Sequence, residues 1–421
     1  MSALRDRAMR WLALGYLAAA LVLGGASAAG YPANYALQLV GALLIAASMW
    51  RDGGAGHRSG LGPWAMAVAL LALVQFVPLP PAIWVHLPGR DRVAAGFDLL
   101  GMPRPWLTLS LSPWRSLATL AWAIPAAAVF VVMRGRHAPD WHSAARLVVV
   151  LALGSVLLGL AQQLGGGPYP YAITNYGLGP GLFANSNHQS SFLLMALALG
   201  TGAVCPVPAR WDRRVMAAVC GGVLVIGVLA NRSLACMALL PVEVIALVAL
   251  VRPDLRRAIV VGLPLLALAA IGLAVFGPIA NDLTGHGAVP GISRHDFLVN
   301  GIRILRDHGA LGTGLGSFPD IYRWYEDPAL AGPTFVNHAH DDLLELLIET
   351  GVFGVLAIIA FLGWFVPRAV GLWRARAGDP MAQAATIAVA VALVHSLADY
   401  PLRTAALSCL FALCCAMIAQ S

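Results

Sequence analysis

The chain has 421 residues, 59% of them hydrophobic and only 11% charged, with a formal net charge of +7. Soluble domains carry roughly 25% charged residues, so this composition cannot clothe a soluble surface, and lipid must solvate much of the chain. Every basic residue is arginine, which excludes a Walker-type phosphate loop and Schiff-base chemistry, both of which need lysine.

The arginines are scattered through short loops between apolar runs, which is a topology signal and does not point to nucleic acid. None of the six cysteines has the spacing of a zinc or redox motif. A membrane helix needs about 20 apolar residues. Runs of that kind predict spans at 11–29, 34–50, 62–79, 116–133, 145–163, 188–204, 214–230, 234–251, 258–276, 342–366, 381–398 and 403–420. The expected fold is an all-α polytopic membrane protein of about twelve transmembrane helices, one integral membrane domain over residues 1–421.

Arg5, Arg7 and Arg10 precede the apolar run Trp11–Leu23, and Ala26-Ser27-Ala28 imitates a signal-peptide cleavage site. Because further spans follow, an uncleaved first helix is expected, with its N-terminus cytoplasmic. Most other arginines then fall on inner segments, from Arg134 and Arg136 through Arg252 and Arg256 to Arg374 and Arg376. The short outer loops carry only Arg232 and Arg403. That bias obeys the positive-inside rule and makes both termini cytoplasmic. Two outer segments are long, 80–115 and 277–341, the second between spans nine and ten. Long loops inside compact proteins are usually functional. Residues 295–308 read as an amphipathic helix with Phe297, Leu298, Ile302 and Leu305 on one side, followed by a flexible Gly312–Gly316 turn.

Histidines gather on the outer side, among them His338, His340 and His395. The richest stretch runs from Asn337 to Gly354. His340 sits where the loop enters the tenth span, with Asp341 and Asp342 in the first helical turn. Asp341, Glu345 and Glu349 repeat at a spacing of four and share a face that cannot point at lipid. On chemistry alone His340 is either a general base or a packing imidazole. A His338-x-His340 zinc site lacks further ligands at a fitting spacing. Arg232, in the three-residue hairpin Asn231-Arg232-Ser233, is either a snorkelling arginine or an anion-binding one. Arg294 either solvates the loop helix or binds an anion. Glu243 lies deep in the eighth span, as a functional carboxylate or a hydrogen-bonded structural one.

Four stretches together resemble the O-antigen ligase and O-antigen polymerase superfamily of bacterial envelope glycosyltransferases. They are Gly181–His188 with Asn187; Asn231-Arg232-Ser233; Arg294 followed by Gly312–Phe318; and His340-Asp341, nine residues, then Gly351-x-x-Gly354. A weaker fifth is His395–Arg403, with Asp399 and Arg403. The resemblance covers the chain from about residue 180 onward. Asp341 departs from the family's Asn, Ser or Gln.

The resemblance implies a GT-C-like architecture in the inner membrane with a periplasmic active site. It implies transfer of a glycan from an undecaprenyl-diphosphate carrier to an acceptor hydroxyl, inverting and independent of metal or other cofactor. His340 would serve the acceptor, and Arg232 and Arg294 the donor diphosphate. Asn187, His338, Asp341, Glu345, Arg303, Asp399 and Arg403 would bind substrate or support the site. Expected partners are the lipid-linked oligosaccharide donor, a glycan, lipid A-core or protein acceptor, the bilayer, and a chain-length regulator and flippase. A transporter or flippase, and a peptidoglycan-type polymerase, are the competing expectations.

Overall fold

The computed structural model describes residues 2–27, 31–51, 69–70, 72–135, 138–205, 211–256, 294–330, 336–375 and 378–421. The predicted span 258–276 and most of 62–79 lie outside these. The apolar runs become helices in chain order: α1 (Ser2–Leu23) and α2 (Pro32–Arg51) come first. A short antiparallel ribbon follows, β1 (Pro78–Leu79) against β2 (Leu107–Thr108), in the register Pro78↔Thr108 and Leu79↔Leu107. It brackets α3 (Pro81–Trp84) and α4 (Asp91–Leu99). Then come α5 (Pro113–Ala121), α6 (Ala123–Arg134), α7 (Trp141–Gln163), α8 (Ser186–Val204), α9 (Trp211–Ala230) and α10 (Leu234–Val251). The second half adds α11 (Arg294–His308), α12 (Phe318–Tyr322), α13 (Asp342–Thr350), α14 (Val352–Arg374), α15 (Pro380–His395) and α16 (Ala405–Gln420).

Among the described residues, five helices are long and apolar enough to cross a membrane: Pro32–Trp50, Pro113–Arg134, Trp141–Gln163, Leu234–Val251 and Val352–Arg374. Arg214–Ala230, Pro380–His395 and Ala405–Gln420 are shorter apolar helices. The chain is a membrane protein and largely helical.

It divides into two compact units. The first comprises Met1–His57, Trp122–Ala280 and Pro367–Ser421. Its hub is α8, packed by α7, α9, α10 and α15. Small residues let these backbones approach: a Cβ on Gly202 of α8 would stand 2.5 Å from Ala384 Cβ of α15.

The second unit comprises Arg58–Ala121 and Asn281–Val366. Its core is Phe297, Ile304, Phe318, Ile321, Tyr322, Val336, Ala339, Leu344 and Ile348. The two long segments expected to be separate loops are stitched together here. Leu111 N–H donates to Thr313 O (2.8 Å), Arg115 pairs with Asp320 (2.6 Å), and Ser116 Oγ donates to Leu315 O (2.7 Å).

Four expectations need correction. Residues 78–79, assigned to the end of a span, form β1, because Pro78 and Leu79 find a partner strand 29 residues on. The span 342–366 is two helices, because Gly351 at φ +56° turns the chain between α13 and α14. The Gly312–Gly316 turn is held rather than flexible: Thr313 N–H donates to Ile348 O (2.9 Å) and Gly314 N–H to Glu349 O (2.8 Å). Finally, the buried face of α11 is Phe297, Asn300, Gly301, Ile304 and His308, at helical spacing, while Leu298 and Ile302 point outward. Gly301 sets that register, since a Cβ there would press on Leu344 at 2.9 Å.

Candidate functional site

In the second unit the site is built around His340. The segment 336–341 is irregular, and His340 stands at φ +52°, a left-handed conformation that costs a non-glycine residue roughly 1–2 kcal/mol. Glu345 of α13, only 1% exposed, turns both carboxylate oxygens back onto the preceding residues. Oε1 lies 2.9 Å from His338 Nδ1, and Oε2 accepts the Ala339 N–H at 2.7 Å. The His340 ring is stacked on Phe297 of α11, centroids 5.4 Å apart and planes 11° off parallel. His340 is half-buried, so its ring is braced and still reachable.

Asp341 is not in the first helical turn. It is the N-cap of α13, with extended backbone, and its Oδ1 accepts the Leu344 N–H at 2.9 Å. Burial raises its carboxyl from the ordinary value, with Glu345 adding to the rise, against the capping amides, which pull it down. Glu349 is fully buried, and its Oε1 accepts from Phe318 N–H at 3.4 Å. Arg303 is on the exposed side of α11 and reaches Asn300 Oδ1 at 3.4 Å. Arg294 is the first residue of α11, and its side chain lies outside the described structure.

In the first unit, Arg232 stands at φ +54° in the hairpin between α9 and α10. It is exposed between two buried neighbours, Asn231 and Ser233. Asn231 Nδ2 donates to Ser190 Oγ of α8 at 3.2 Å, which ties the hairpin to the hub helix. A small cleft beside Asn231 is lined by Gly159, Gly179, Gly227, Gln163 and Gln189.

The start of α8 gathers the polar residues of this unit. Asn185 caps the helix by accepting Asn187 N–H at 2.8 Å. Asn187 Nδ2 donates to Asp399 Oδ2 at 2.5 Å, across 212 residues of sequence. His188 Nε2 lies 3.7 Å from Asp399 Oδ1, and its ring meets Tyr400 edge-on at 4.8 Å. One turn deeper, His395 is held between Ser191 Oγ and Cys236 Sγ, the latter at 3.7 Å from Nε2. Arg403 ends the 3₁₀ turn Pro401–Arg403 on the same corner.

Thus His338, His340, Asp341 and Glu345 form one cluster, with Arg303 on a neighbouring helix. Asn187, Asp399 and the corner bearing Arg403 form another. Sequence reasoning missed three supports: Phe297 as a stacking partner, Ser191 and Cys236 around His395, and Ser190 beneath Asn231. The one available signal was the polar run Ser186–Ser191 opening an apolar helix. Glu243 is buried in α10, and neither carboxylate oxygen has a hydrogen-bond partner among the described residues, so its structural hydrogen bond is not found. Among the described residues, no group of three or more His, Cys, Asp or Glu side chains is arranged to hold a metal ion.

Residues 177–359 match the family model described as O-antigen ligase, so over that stretch the chain is similar to the O-antigen ligase family. The matched segment contains Asn187, Arg232, Arg294, Arg303, His338, His340, Asp341 and Glu345; Asp399 and Arg403 lie beyond it. No curated protein matches the chain.

Proposed function

We propose that this membrane protein is a glycan polymerase or ligase of the inner membrane, acting at the periplasmic face on an undecaprenyl-diphosphate-linked oligosaccharide. The observation that carries the reading is backbone conformation. Among the described residues, Arg232 and His340 are the non-glycine residues with positive φ. Both lie in the family-matched segment, and both are positions singled out on chemical grounds. Strained backbone of this kind persists where the surroundings over-determine it, and it clusters at functional sites.

The reaction forms a bond between the acceptor oxygen and the anomeric carbon of the donor. The bond from that carbon to the diphosphate oxygen breaks, and the electron pair leaves with the diphosphate. His340 receives the acceptor proton as general base. Arginine guanidinium groups match phosphate oxygens with paired hydrogen bonds, so Arg232 and Arg294 neutralise the developing charge. In this reading Asn187 and Asp399 fix the start of α8, while Arg303 and Arg403 offer further cationic contacts to the anionic donor. A transport reading rests on one observation, the Glu243 carboxyl in a membrane-length helix, which has no hydrogen-bond partner among the described residues.

The test is transfer by purified protein in lipid, given the carrier-linked repeat unit. A ladder of longer carrier-linked glycans identifies a polymerase. Transfer that starts only when lipid A-core is added identifies a ligase. No transfer to any acceptor, with uptake of the lipid-linked glycan across the bilayer, gives the transport reading.

A further inference from the structure

We propose that Glu345 is the positioning residue of the His340 loop: its carboxylate clamps His338 and the Ala339 amide, and so holds His340 in its left-handed backbone. This rests on the reading of His340 as the base. Residues 336–340 lie in neither helix nor strand, so the cost of φ +52° must be met by other contacts. The Glu345 carboxylate supplies two: its Oε2 accepts Ala339 N–H (2.7 Å) and its Oε1 meets His338 Nδ1 (2.9 Å). They grip the chain just before His340, while Asp341 anchors it just after, accepting Leu344 N–H on its side chain (2.9 Å) and the backbone Glu345 N–H on its carbonyl (3.0 Å). Phe297, from α11, then fixes the ring's plane.

Burial makes the grip strong and also excludes direct chemistry. A carboxylate 1% exposed must be hydrogen-bonded to be tolerated, and charge-assisted bonds in a dry setting are roughly twice as strong as neutral ones. Glu345 has no surface to offer a sugar or a diphosphate, so it acts through the loop. Its neighbours Leu344 and Ile348 already belong to the apolar core, which identifies the carboxylate as a device of the loop and not of core packing.

The experiment compares Glu345→Ala, Glu345→Gln, His338→Ala and His340→Ala in lipid, by steady-state kinetics, melting temperature and amide hydrogen exchange over residues 336–341. A misplacement of about 1 Å costs on the order of 100-fold. Glu345→Ala is therefore expected to lower kcat ~100-fold with donor KM within about twofold, and to speed exchange at Ala339 and His340. Gln keeps an acceptor for the Ala339 amide and should restore about tenfold of the loss, with slower exchange than Ala. His338→Ala, which removes one arm, should cost less than Glu345→Ala. Wild-type kcat in Glu345→Ala beside an inactive His340→Ala overturns the clamp and leaves the base reading standing. A loss in Glu345→Ala that only tracks a lower melting temperature, with no change in local exchange and no rescue by Gln, also overturns it. Activity in His340→Ala overturns the base reading and the clamp with it.

Discussion

In the proposed function two residues, Arg232 and His340, bear the chemical weight, and each is held by a different device. Arg232 is exposed on a tight hairpin whose flanking side chains are buried, so its guanidinium is presented while its backbone is pinned. If it grips a diphosphate through its planar fork, charge alone will not replace it. Arg232→Lys should lower kcat/KM for the lipid-linked donor by about 10–100-fold, ~1.4–2.7 kcal/mol of transition-state stabilisation, read by steady-state kinetics; an unchanged value would show that only a positive charge is needed. The sequence singled these residues out as candidates because each stands beside an apolar run within a stretch that resembles the family, although a packing histidine or a snorkelling arginine would also fit there. Their supports were not legible in the sequence. Phe297 and Ser190 look like ordinary core and helix residues, and only the fold brings Phe297 under His340 and Ser190 under Asn231.

Among the elements, glycine decides the shape of the second unit. Gly351 separates α13 from α14 at φ +56°, and a Cβ there would stand 2.0 Å from Ala310 O. Gly351→Ala should cost well over 1 kcal/mol and lower the melting temperature; an unchanged melt would mean that the break is not needed. Hydropathy could not reveal it, because residues 342–366 read as one apolar run while one glycine's φ ends the helix. The amphipathic helix was legible in extent but not in face, since Leu298 and Ile302 are apolar and outward while Asn300 and Gly301 are inward. His308, at the end of that helix, packs against Gly89 and the Tyr325 hydroxyl. Desolvation lowers its pKa from the ordinary 6.5, with Arg90 and Arg92 adding to the fall and Asp307 opposing it. The folded state therefore binds this proton less well than the unfolded chain. Its contribution is fully present above about pH 6.5 and is lost as pH falls through the depressed value. Unfolding profiles from pH 7.5 to 5 should show that loss, and His308→Gln should flatten it; equal slopes in both proteins would remove His308 as the cause.

At the scale of the molecule, the membrane character was plain from composition, and most predicted spans fall on helices. What composition could not show is that segments 80–115 and 294–341 join in one compact unit with its own core, because contacts such as Arg115–Asp320 link positions 205 apart. The arginine bias predicts a chain with both termini inside. Single cysteines near Ser2 and Ser421 should be protected from impermeant thiol reagents in intact cells, and a cysteine at Trp324 should be labelled; the reverse pattern would invert the topology. The most direct test of the central claim is glycan transfer in lipid by wild type, His340→Asn and Arg232→Ala. Asparagine tolerates a left-handed backbone but cannot take a proton, so His340→Asn should fold normally and lose about 100-fold or more of the transfer rate, with Arg232→Ala also inactive. Full transfer by both variants, at normal expression, would contradict the account.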